Sequence, residues 1–212
     1  DAIERGAGAV VVSQNRQAEF ADLAGNTTLL AAADTRRALS VLSAAFYGFP
    51  SSGMLVLGVT GTNGKTSITY MLESIFKSAG RTPGVIGTVN YRWKGGLVPA
   101  PNTTPESRDV HEIVRAMADD GVDALVMEVS SHGLKLGRVE DVEFDAGIFT
   151  NLTRDHLDFH LTFEDYFASK LRLFDLIDRS KKSRRAGIVN CDDQYGRTVL
   201  SGKGSRSYPL FG

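Results

Sequence analysis

A glycine-rich segment between an apolar run and a helical pattern constrains the fold of this chain most strongly. Residues 58–67 read GVTGTNGKTS; they end an apolar run that starts at Leu55 and open the helical spacing of residues 65–78. In such a segment glycines turn backbone N–H groups toward an anion, the helix start adds partial positive charge, a lysine reaches terminal phosphates and a hydroxyl binds Mg2+. The segment therefore predicts a phosphate-binding loop for ATP, with Lys65 and Thr66 as its charged and hydroxyl groups.

The glycine spacing departs from the usual phosphate-loop pattern. That pattern has a glycine five residues before the Gly-Lys pair, where this chain has Val59, and the glycines fall instead at Gly58, Gly61 and Gly64. A glycine-rich turn without a ligand is the alternative interpretation. The lysine and threonine at the predicted helix start favour ATP binding.

Short apolar runs alternate with helical patterns along the rest of the chain. The runs predict strands over 9–13, 55–60, 84–88, 124–128, 146–150 and 186–190, and the helical patterns predict helices over 35–47, 65–78, 107–118 and 163–177. Strands joined by crossover helices predict an α/β fold with a mostly parallel sheet and helices on both faces. Ligands of such a sheet bind at the carboxyl ends of its strands.

Composition limits the other classes of protein that the chain could represent. Its 212 residues are 42% hydrophobic, and 24 Lys+Arg against 25 Asp+Glu leave a formal charge of -1. This length and hydrophobic content suit a globular protein with a core and argue against disorder. The balanced charge argues against nucleic-acid binding, and we interpret the basic run 181–185 as a solvated loop.

Cysteine content and hydropathy bear on the compartment. The single cysteine, Cys191, cannot form an internal disulfide, and we expect it to be a buried structural residue in a reducing compartment. The chain has no run of about 18 apolar residues and no basic-then-apolar order at its start. We therefore expect a cytoplasmic protein without membrane insertion, and a monomer.

A Pro/Ser/Gly stretch at residues 49–53 marks a domain border. We expect residues 1–50 to be the end of a smaller α/β domain and residues 54–212 to form most of a nucleotide-binding domain. The chain lacks an initiator Met, opens on what we interpret as the end of a helix, and stops inside an α/β pattern. We therefore expect a fragment of a longer protein.

Two polar segments lie close to the ends of predicted elements. Residues 101–105 read PNTTP, whose hydroxyl and amide groups could hold carboxylate or phosphate oxygens, although Thr104 before Pro105 is more typical of a helix cap. Glu128 ends an apolar strand, where a carboxylate beside a phosphate loop is expected to bind Mg2+. His132, shortly after it, is either a ligand or a structural residue that holds a turn.

A third polar segment, residues 149–160, follows another predicted strand. It contains two histidines and two aspartates within six positions, namely Asp155, His156, Asp158 and His160. This density suits a second metal site or a catalytic polar network. The alternative is that Asp155 caps a turn and His160 is exposed.

The next predicted helix carries a lysine among apolar residues. Thr162 and Asp165 resemble a capping box, which places the helix start at Phe163. We expect its apolar stripe to comprise Phe163, Tyr166, Phe167, Leu171 and Phe174. Composition alone indicates that Lys170, at the edge of this stripe, is solvated.

These segments together resemble the Mur ligases. The Gly-Thr-Asn-Gly-Lys core at residues 61–65 is typical of that family and of the related folylpolyglutamate synthases. The resemblance extends over essentially the whole chain through residues 102–104, 128–132 and 151–160, in this order. Folylpolyglutamate synthases should lack the Thr-Thr and Ser-Ser-His sequences of the first two of these segments.

The resemblance implies roles for individual residues. ATP would be bound by Gly61, Thr62, Asn63, Gly64, Lys65, Thr66 and Ser67. One Mg2+ would be held by Thr66 and Glu128 and a second by His156 and Lys170, the lysine carrying a carbamate whose negative charge attracts a metal that an ammonium would repel. The expected catalytic residues are then Lys65, His156 and Lys170. A UDP-linked substrate would contact Asn102, Thr103, Thr104, Ser130 and Arg138, whereas Leu136 replaces a substrate-binding Gln of some members.

The resemblance also implies an activity. It is ATP-dependent amide ligation in peptidoglycan precursor synthesis, in which a diamino acid is added to UDP-N-acetylmuramoyl-L-alanyl-D-glutamate through an acyl phosphate. We expect meso-diaminopimelate, with L-lysine as the alternative. Residues 1–50 would end a UDP-substrate domain, and a carboxyl-terminal ligase domain would lie outside the chain. Another Mur ligase, a folylpolyglutamate synthase and an inactive nucleotide-binding fragment are the remaining alternatives.

Overall fold

A small parallel sheet forms the amino-terminal part of the computed structural model, which describes residues 2–23, 25, 27–156, 158–202 and 206–212. Strand β1 (Ala9–Ser13) pairs with β2 (Thr28–Ala32), and a 3-10 helix, Gln14–Leu23, connects them. Helix α1 (Thr35–Phe46) follows and is capped by Asp34, whose carboxylate accepts hydrogen bonds from two backbone N–H groups of the first turn. The β1 and α1 predictions are confirmed, whereas β2 was not predicted. Asp1 of the predicted opening segment and Leu157 of the polar segment 149–160 lie outside the described residues.

A second sheet of eight strands dominates the remaining chain. Its strands are β3 (Leu55–Thr60), β4 (Pro83–Ile86), β5 (Asn90–Trp93), β6 (Gly96–Pro99), β7 (Ala124–Glu128), β8 (Ala146–Phe149), β9 (Ala186–Val189) and β10 (Leu210–Phe211). They are arranged in the order β10-β9-β8-β3-β7-β4-β5-β6. All neighbours are parallel except β5 with β4 and with β6. The predicted mostly parallel sheet is confirmed.

Five helices accompany this sheet within the described ranges. They are α2 (Lys65–Ser78), α3 (Ser107–Asp119), α4 (Ser131–Lys135), α5 (Phe163–Arg179) and α6 (Gln194–Ser201). The predicted helices over 65–78, 107–118 and 163–177 correspond to α2, α3 and α5. Helix α4 was not predicted because it is short, whereas the pair Asp192-Asp193 indicates a helix start that α6 confirms, since Asp193 caps it. None of the helices in the described part of the chain is long and apolar enough to cross a membrane.

The strand predicted over 84–88 was wrong at its end. Strand β4 stops at Ile86, and the N–H of Thr88 donates to the side chain of Glu128 instead of to a neighbouring strand. The β5–β6 hairpin was not predicted either. Its two turn residues, Lys94 and Gly95, both have positive φ angles, of 47° and 80°. This conformation matches the twist of a two-residue hairpin.

Helix α5 packs unusually close to the centre of the sheet. A Cβ atom on Gly58 of β3 would lie 2.8 Å from Leu173 Cδ1, and one on Gly147 of β8 would lie 2.5 Å from Ile177 Cδ1. Real Cβ atoms do not approach so closely, so the two glycines permit the helix to sit against the strands. The close approach brings the inner face of α5 to the end of β3.

The basic run 181–185 is the loop between α5 and β9, and its exposed residues Lys181, Ser183 and Arg184 confirm the expected solvated loop. Lys182 is the exception, because its Nζ donates to the carbonyl oxygens of Ser51, Ser52 and Met54. Arg185 similarly donates to carbonyl oxygens at the end of α5. Cys191 is partly exposed rather than buried. The cations satisfy carbonyl groups that the helix ends leave free.

The fold predicts a pH-dependent stability through His111 of α3. This ring is fully buried, and neither nitrogen has a hydrogen-bond partner among the described residues. Burial lowers its pKa from 6.5 to about 4, against the opposing charge of Asp141. The folded state therefore keeps the ring neutral, whereas the unfolded state gains a proton as the pH falls below 6.5. We expect a loss of about 2 kcal/mol of unfolding free energy from this residue between pH 7 and pH 5.

Urea unfolding of the wild-type chain and of His111→Leu at both pH values would measure this effect. The variant should lose less stability on acidification than the wild type, since it has no proton to gain. An equal loss in both proteins would contradict the assignment to His111.

Candidate functional site

The glycine-rich loop between β3 and α2 has the conformation of a phosphate cradle. Gly61 and Gly64 have positive φ angles, of 141° and 86°, which favour glycine. A Cβ atom on Gly61 would also collide with Thr150 Oγ1. Gly64 precedes the first residue of α2 and contributes no side-chain cap. The N–H groups of the first helical turn are thus available to an anion.

Lys65, the first residue of α2, folds back across this loop. Its Nζ donates to the carbonyl oxygens of Gly61, at 3.0 Å, and Thr62, at 2.9 Å. Burial lowers the pKa of this lysine, while the negative charges of Glu128 and Asp155 raise it. An ammonium beside the N–H groups of the first turn of α2 is suited to phosphate binding.

Thr66 and Glu128 lie together, as the metal prediction required. Thr66 Oγ1 donates to Glu128 Oε1 at 2.9 Å, and this carboxylate also accepts from the N–H and hydroxyl of Thr88. Hydroxyl and carboxylate oxygens are ligands that Mg2+ prefers, so the pair fits a magnesium ion. No three His, Cys, Asp or Glu side chains converge as a metal site in the described ranges. A cation here would need further oxygen ligands, such as phosphates or water.

The segment after β8 fixes the loop from the other side. Asn63 N donates to Asn151 Oδ1 at 3.0 Å, and Thr150 Oγ1 donates to Asn63 O at 2.6 Å. Thr62 Oγ1 accepts from the N–H of Thr153 at 3.0 Å. The sequence placed the two segments at the same sheet edge but gave no sign that Thr150, Asn151 and Thr153 support the ATP loop.

Lys170 is not solvated, so the expectation from composition was wrong. Its side chain is only 1% exposed, and Nζ donates to Gly61 O at 2.8 Å and lies 4.4 Å from the centre of the Tyr166 ring. The buried face of α5 contains Tyr166, Ser169, Lys170, Leu173, Phe174, Leu176 and Ile177. Phe163, Phe167 and Leu171 of the predicted stripe are only partly buried. Lys170 is buried because other parts of the structure cover α5 on much of its circumference.

The environment of Lys170 changes its protonation. Burial is the largest cause and the charge of Lys65 the second, and together they lower the pKa of Lys170 to about 7. The charge of Asp155 opposes this shift. A lysine in such a site is a neutral amine for a substantial fraction of the time near neutral pH.

The two histidines of the segment 149–160 differ in their surroundings. His156 is exposed, has a φ of 52°, and lies with Nε2 3.4 Å from Asp155 Oδ2. Its ring is 4.9 Å from that of His132 and 6.2 Å from that of Tyr166. The structure brings His156 to the edge of the Lys170 environment but gives no direct contact between the two predicted metal ligands.

His160 is fully buried, so the interpretation of it as exposed was wrong. Its Nε2 lies 3.0 Å from Ser131 Oγ and its Nδ1 lies 3.1 Å from Asp165 Oδ2. Asp165 also forms an ion pair with Lys135. Burial is the main cause that lowers the pKa of His160, while the bond to Asp165 raises it. The predicted cap of α5 is confirmed, because Thr162 Oγ1 accepts from Asp165 N.

Thr104 does not cap a helix, contrary to the interpretation of its sequence. Helix α3 begins at Ser107, and Thr104 Oγ1 instead donates to the carbonyl oxygen of Glu128 and accepts from the N–H of Ser130. The hydroxyl therefore connects the loop 101–105 to the end of β7. Backbone groups at the end of β7 thus compete with the local capping signal for this hydroxyl.

The other predicted substrate residues lie around this connection. Arg138 donates to Thr104 O at 2.9 Å and pairs with Glu106 at 2.6 Å. Thr103 Oγ1 lies 3.0 Å from Thr88 Oγ1, and Asn102 O accepts from Tyr91. Ser130 Oγ accepts from Gly133 N at the start of α4. Of the five residues predicted to contact substrate, Thr104 and Ser130 thus lie at the carboxyl end of β7, and Thr103 reaches Glu128 through Thr88.

The fold and the loop together define the class of the protein. A phosphate cradle at the end of a central parallel strand, with a carboxylate at the end of the adjacent strand, is the arrangement of a nucleotide-binding α/β domain. A family model described as Mur ligase middle domain matches residues 59–210. The chain belongs to the Mur ligase family.

Individual proteins resemble the chain over most of its length. The UDP-N-acetylmuramoyl-L-alanyl-D-glutamate--2,6-diaminopimelate ligase of Geobacter metallireducens is 47% identical over 200 residues, which are 93% of this chain and 38% of that protein. The chain therefore spans well under half of this relative.

Solved structures resemble the chain in fold. A structure of a UDP-N-acetylmuramoyl-L-alanyl-D-glutamate--2,6-diaminopimelate ligase has a TM-score of 0.75 and 24% identity, covering 96% of this chain and 45% of that chain. A Mycobacterium tuberculosis folylpolyglutamate synthase with ADP and AMPPCP has a TM-score of 0.66 and 16% identity, covering 82% and 46%. At these identities the likeness concerns the fold alone.

The double hydrogen bond of Thr104 gives a stability prediction. In Thr104→Val the N–H of Ser130 and the carbonyl of Glu128 lose their partner in a buried place, and we expect a loss of about 1–3 kcal/mol of unfolding free energy. Urea unfolding would measure it. Thr104→Ser should lose less, because it retains the hydroxyl, and Thr103→Val is a control whose hydrogen bond is exposed. A Val variant at position 104 with wild-type stability would refute the role.

Proposed function

We propose that this chain provides the ATP-binding part of a ligase that adds meso-diaminopimelate to UDP-N-acetylmuramoyl-L-alanyl-D-glutamate. The name of the Geobacter metallireducens relative supports the reaction. The observation that carries the proposal is the convergence of Lys65 and Lys170 on Gly61 O beside the Thr66–Glu128 pair. In this proposal residues 1–50 belong to a UDP-substrate domain and residues 54–212 to the central ATP-binding domain. Selection of the amino acid is assigned to parts of the relatives that this chain does not cover.

The first step of the proposed reaction is phosphoryl transfer. An oxygen of the D-glutamyl carboxylate attacks the γ-phosphorus of ATP, and the bond from this phosphorus to the β,γ-bridging oxygen breaks. ADP is the leaving group, and the product is an acyl phosphate. Lys65 and the N–H groups of the loop stabilise the charge on the transferred group. Magnesium bound by Thr66 and Glu128, and by His156 with carbamylated Lys170, would neutralise phosphate charge.

The second step forms the amide. The amine of the diamino acid attacks the acyl carbon, and the resulting tetrahedral intermediate expels inorganic phosphate and loses a proton. The residues assigned to hold the UDP-linked substrate during both steps are Asn102, Thr103, Thr104, Ser130 and Arg138. The position of Thr104 and Ser130 at the end of β7, beside Glu128, supports this assignment because the acceptor carboxylate must reach the γ-phosphate.

The surroundings of Lys170 support its carbamylation. A neutral amine attacks carbon dioxide, forms an N–C bond and releases one proton, and a pKa of about 7 makes the neutral amine available. The carbamate nitrogen retains one N–H, which can still donate to Gly61 O. The product is an anion next to the ammonium of Lys65, so a repulsive pair becomes an attractive one.

The activity is tested on the full-length protein with UDP-N-acetylmuramoyl-L-alanyl-D-glutamate, ATP and either meso-diaminopimelate or L-lysine. We expect ADP release that depends on diaminopimelate, and none from Lys65→Ala, because the transferred charge loses its ammonium. Lys77→Ala on the same helix, whose lysine pairs with Glu73, should retain activity.

If the enzyme prefers L-lysine, the proposed reaction stands and only the added amino acid changes. Elongation of folates in place of the muramoyl substrate, or normal turnover by Lys65→Ala, would refute it.

Carbamylation is tested by carbon-13 NMR with labelled bicarbonate. We expect a carbamate signal that grows as the pH rises through about 7, because the neutral amine of Lys170 is the reactive form. Lys170→Met should lose this signal and Lys77→Met should retain it. A fully active full-length enzyme without the signal would exclude the role of Lys170.

A further inference from the structure

A buried histidine, His160, lies between the substrate side and the ATP side of the site and has no role in the proposed chemistry. Its ring is fully buried. Both ring nitrogens are within hydrogen-bond distance of a side chain, Nε2 at 3.0 Å from Ser131 Oγ and Nδ1 at 3.1 Å from Asp165 Oδ2. The histidine therefore connects the start of α4 to the first turn of α5.

The partners determine which nitrogen carries the proton. Asp165 forms an ion pair with Lys135 and is ionised, so its oxygen can only accept and Nδ1 of His160 must donate. In the neutral ring Nε2 is then an acceptor, and the hydroxyl of Ser131 donates to it. With donor and acceptor both engaged, the ring has no nitrogen left for a metal or a substrate.

The order Ser131, His160, Asp165 is also that of a hydrolytic triad, but the burial of the serine excludes this activity. Ser131 is 1% exposed and lies in the first turn of α4. A nucleophile must reach the substrate carbonyl, and this hydroxyl is enclosed. The contacts therefore have a structural consequence within the ligase site.

On the substrate side, His160 holds the beginning of α4. Ser131 directly follows Ser130, which caps this short helix and whose N–H donates to Thr104. The His160 ring also makes an edge contact with His132, at 5.6 Å between centroids. Fixing Ser131 thus fixes the backbone that presents Ser130.

On the ATP side, the same ring packs on Tyr166, with centroids 5.0 Å apart. The Tyr166 hydroxyl lies 3.1 Å from Thr62 Oγ1 of the phosphate loop, and its ring faces Lys170 Nζ at 4.4 Å. The backbone N–H of His160 donates to His156 O at 2.9 Å. A single buried ring thus contacts elements from both sides.

We propose that His160 is a positioning residue that sets the substrate-binding end of β7 and α4 against the phosphate loop and Lys170. This inference rests on the proposed function, since it assigns Ser130 and Thr104 to the acceptor substrate. A carboxylate and a γ-phosphate must be held within bonding reach, and small displacements of either are costly in rate.

The kinetic test uses the full-length enzyme with three variants. His160→Phe retains the ring shape and loses both hydrogen bonds, His160→Gln retains a polar group near Ser131, and Ser131→Ala removes one hydroxyl. For His160→Phe we expect kcat/KM for the UDP-linked dipeptide to fall about 10- to 100-fold, the size of effects from residues that orient direct ligands. The KM for ATP should change less than about threefold, and His160→Gln should recover part of the loss.

The double variant separates positioning from general destabilisation. Because Ser131 and His160 act through one contact, His160→Phe with Ser131→Ala should be no worse than His160→Phe alone. An unchanged kcat/KM for the dipeptide in His160→Phe, or equal losses of kcat/KM for ATP and for the dipeptide, would overturn the proposal. If His160→Phe does not fold, Ser131→Ala still decides, since it should raise the KM for the dipeptide and leave that for ATP unchanged.

A spectroscopic measurement makes the inference independent of the activity. Nitrogen-15 NMR of the chain should find His160 neutral with the proton on Nδ1, and Asp165→Asn should weaken this preference. A proton on Nε2 would overturn the proposal even in an active enzyme. A wild-type enzyme that does not extend the dipeptide would refute the proposed function, whereas the Nδ1 proton would still establish the link between α4 and α5.

Discussion

The carbonyl oxygen of Gly61 accepts hydrogen bonds from the side-chain nitrogens of two lysines, and the ATP side of the site is arranged around this point. Lys65 Nζ lies 3.0 Å and Lys170 Nζ 2.8 Å from the oxygen. Burial and mutual repulsion both disfavour two protonated amines here. The more buried lysine, Lys170, responds most strongly, with a pKa that falls to about 7. The amine of Lys170 is therefore neutral more often near pH 7 than that of an ordinary lysine.

This arrangement depends on packing in the core of the sheet. The carbonyl oxygen of Gly61 faces both lysines in a conformation that requires glycine, because a φ of 141° and the nearby Thr150 Oγ1 leave no place for a side chain. Lys170 reaches the same carbonyl because α5 lies close to β3 and β8, where Gly58 and Gly147 leave room for its apolar residues. The glycines of the strands therefore determine where the charge of Lys170 lies in the site.

The parallel sheet, α2 and the Thr66–Glu128 pair were predictable because they follow from local signals and from the shared edge of parallel strands. The surroundings of Lys170 were not, since a lysine within a helical pattern is indistinguishable in composition from a solvated one. The local pattern also misplaced Thr104, because Glu128 and Ser130 of a distant segment compete for its hydroxyl. The sequence singled out His160 but not its contact with Ser131, which is 29 residues away in sequence. Long-range polar contacts are set by the tertiary fold and have no period in the sequence.

The charges around Gly61 also connect the binding of nucleotide to the state of Lys170. Lys65 Nζ donates to the carbonyl oxygens of Gly61 and Thr62, and a phosphate that binds this lysine must compete with those bonds. In the proposed carbamylated state Lys170 contributes a negative charge, which stabilises the protonated form of Lys65. The same anion would repel a bare phosphate, so phosphate and carbamate can share the space only with a cation between them. Carbamylation would therefore increase the dependence of nucleotide binding on Mg2+ while it keeps Lys65 charged for phosphoryl transfer.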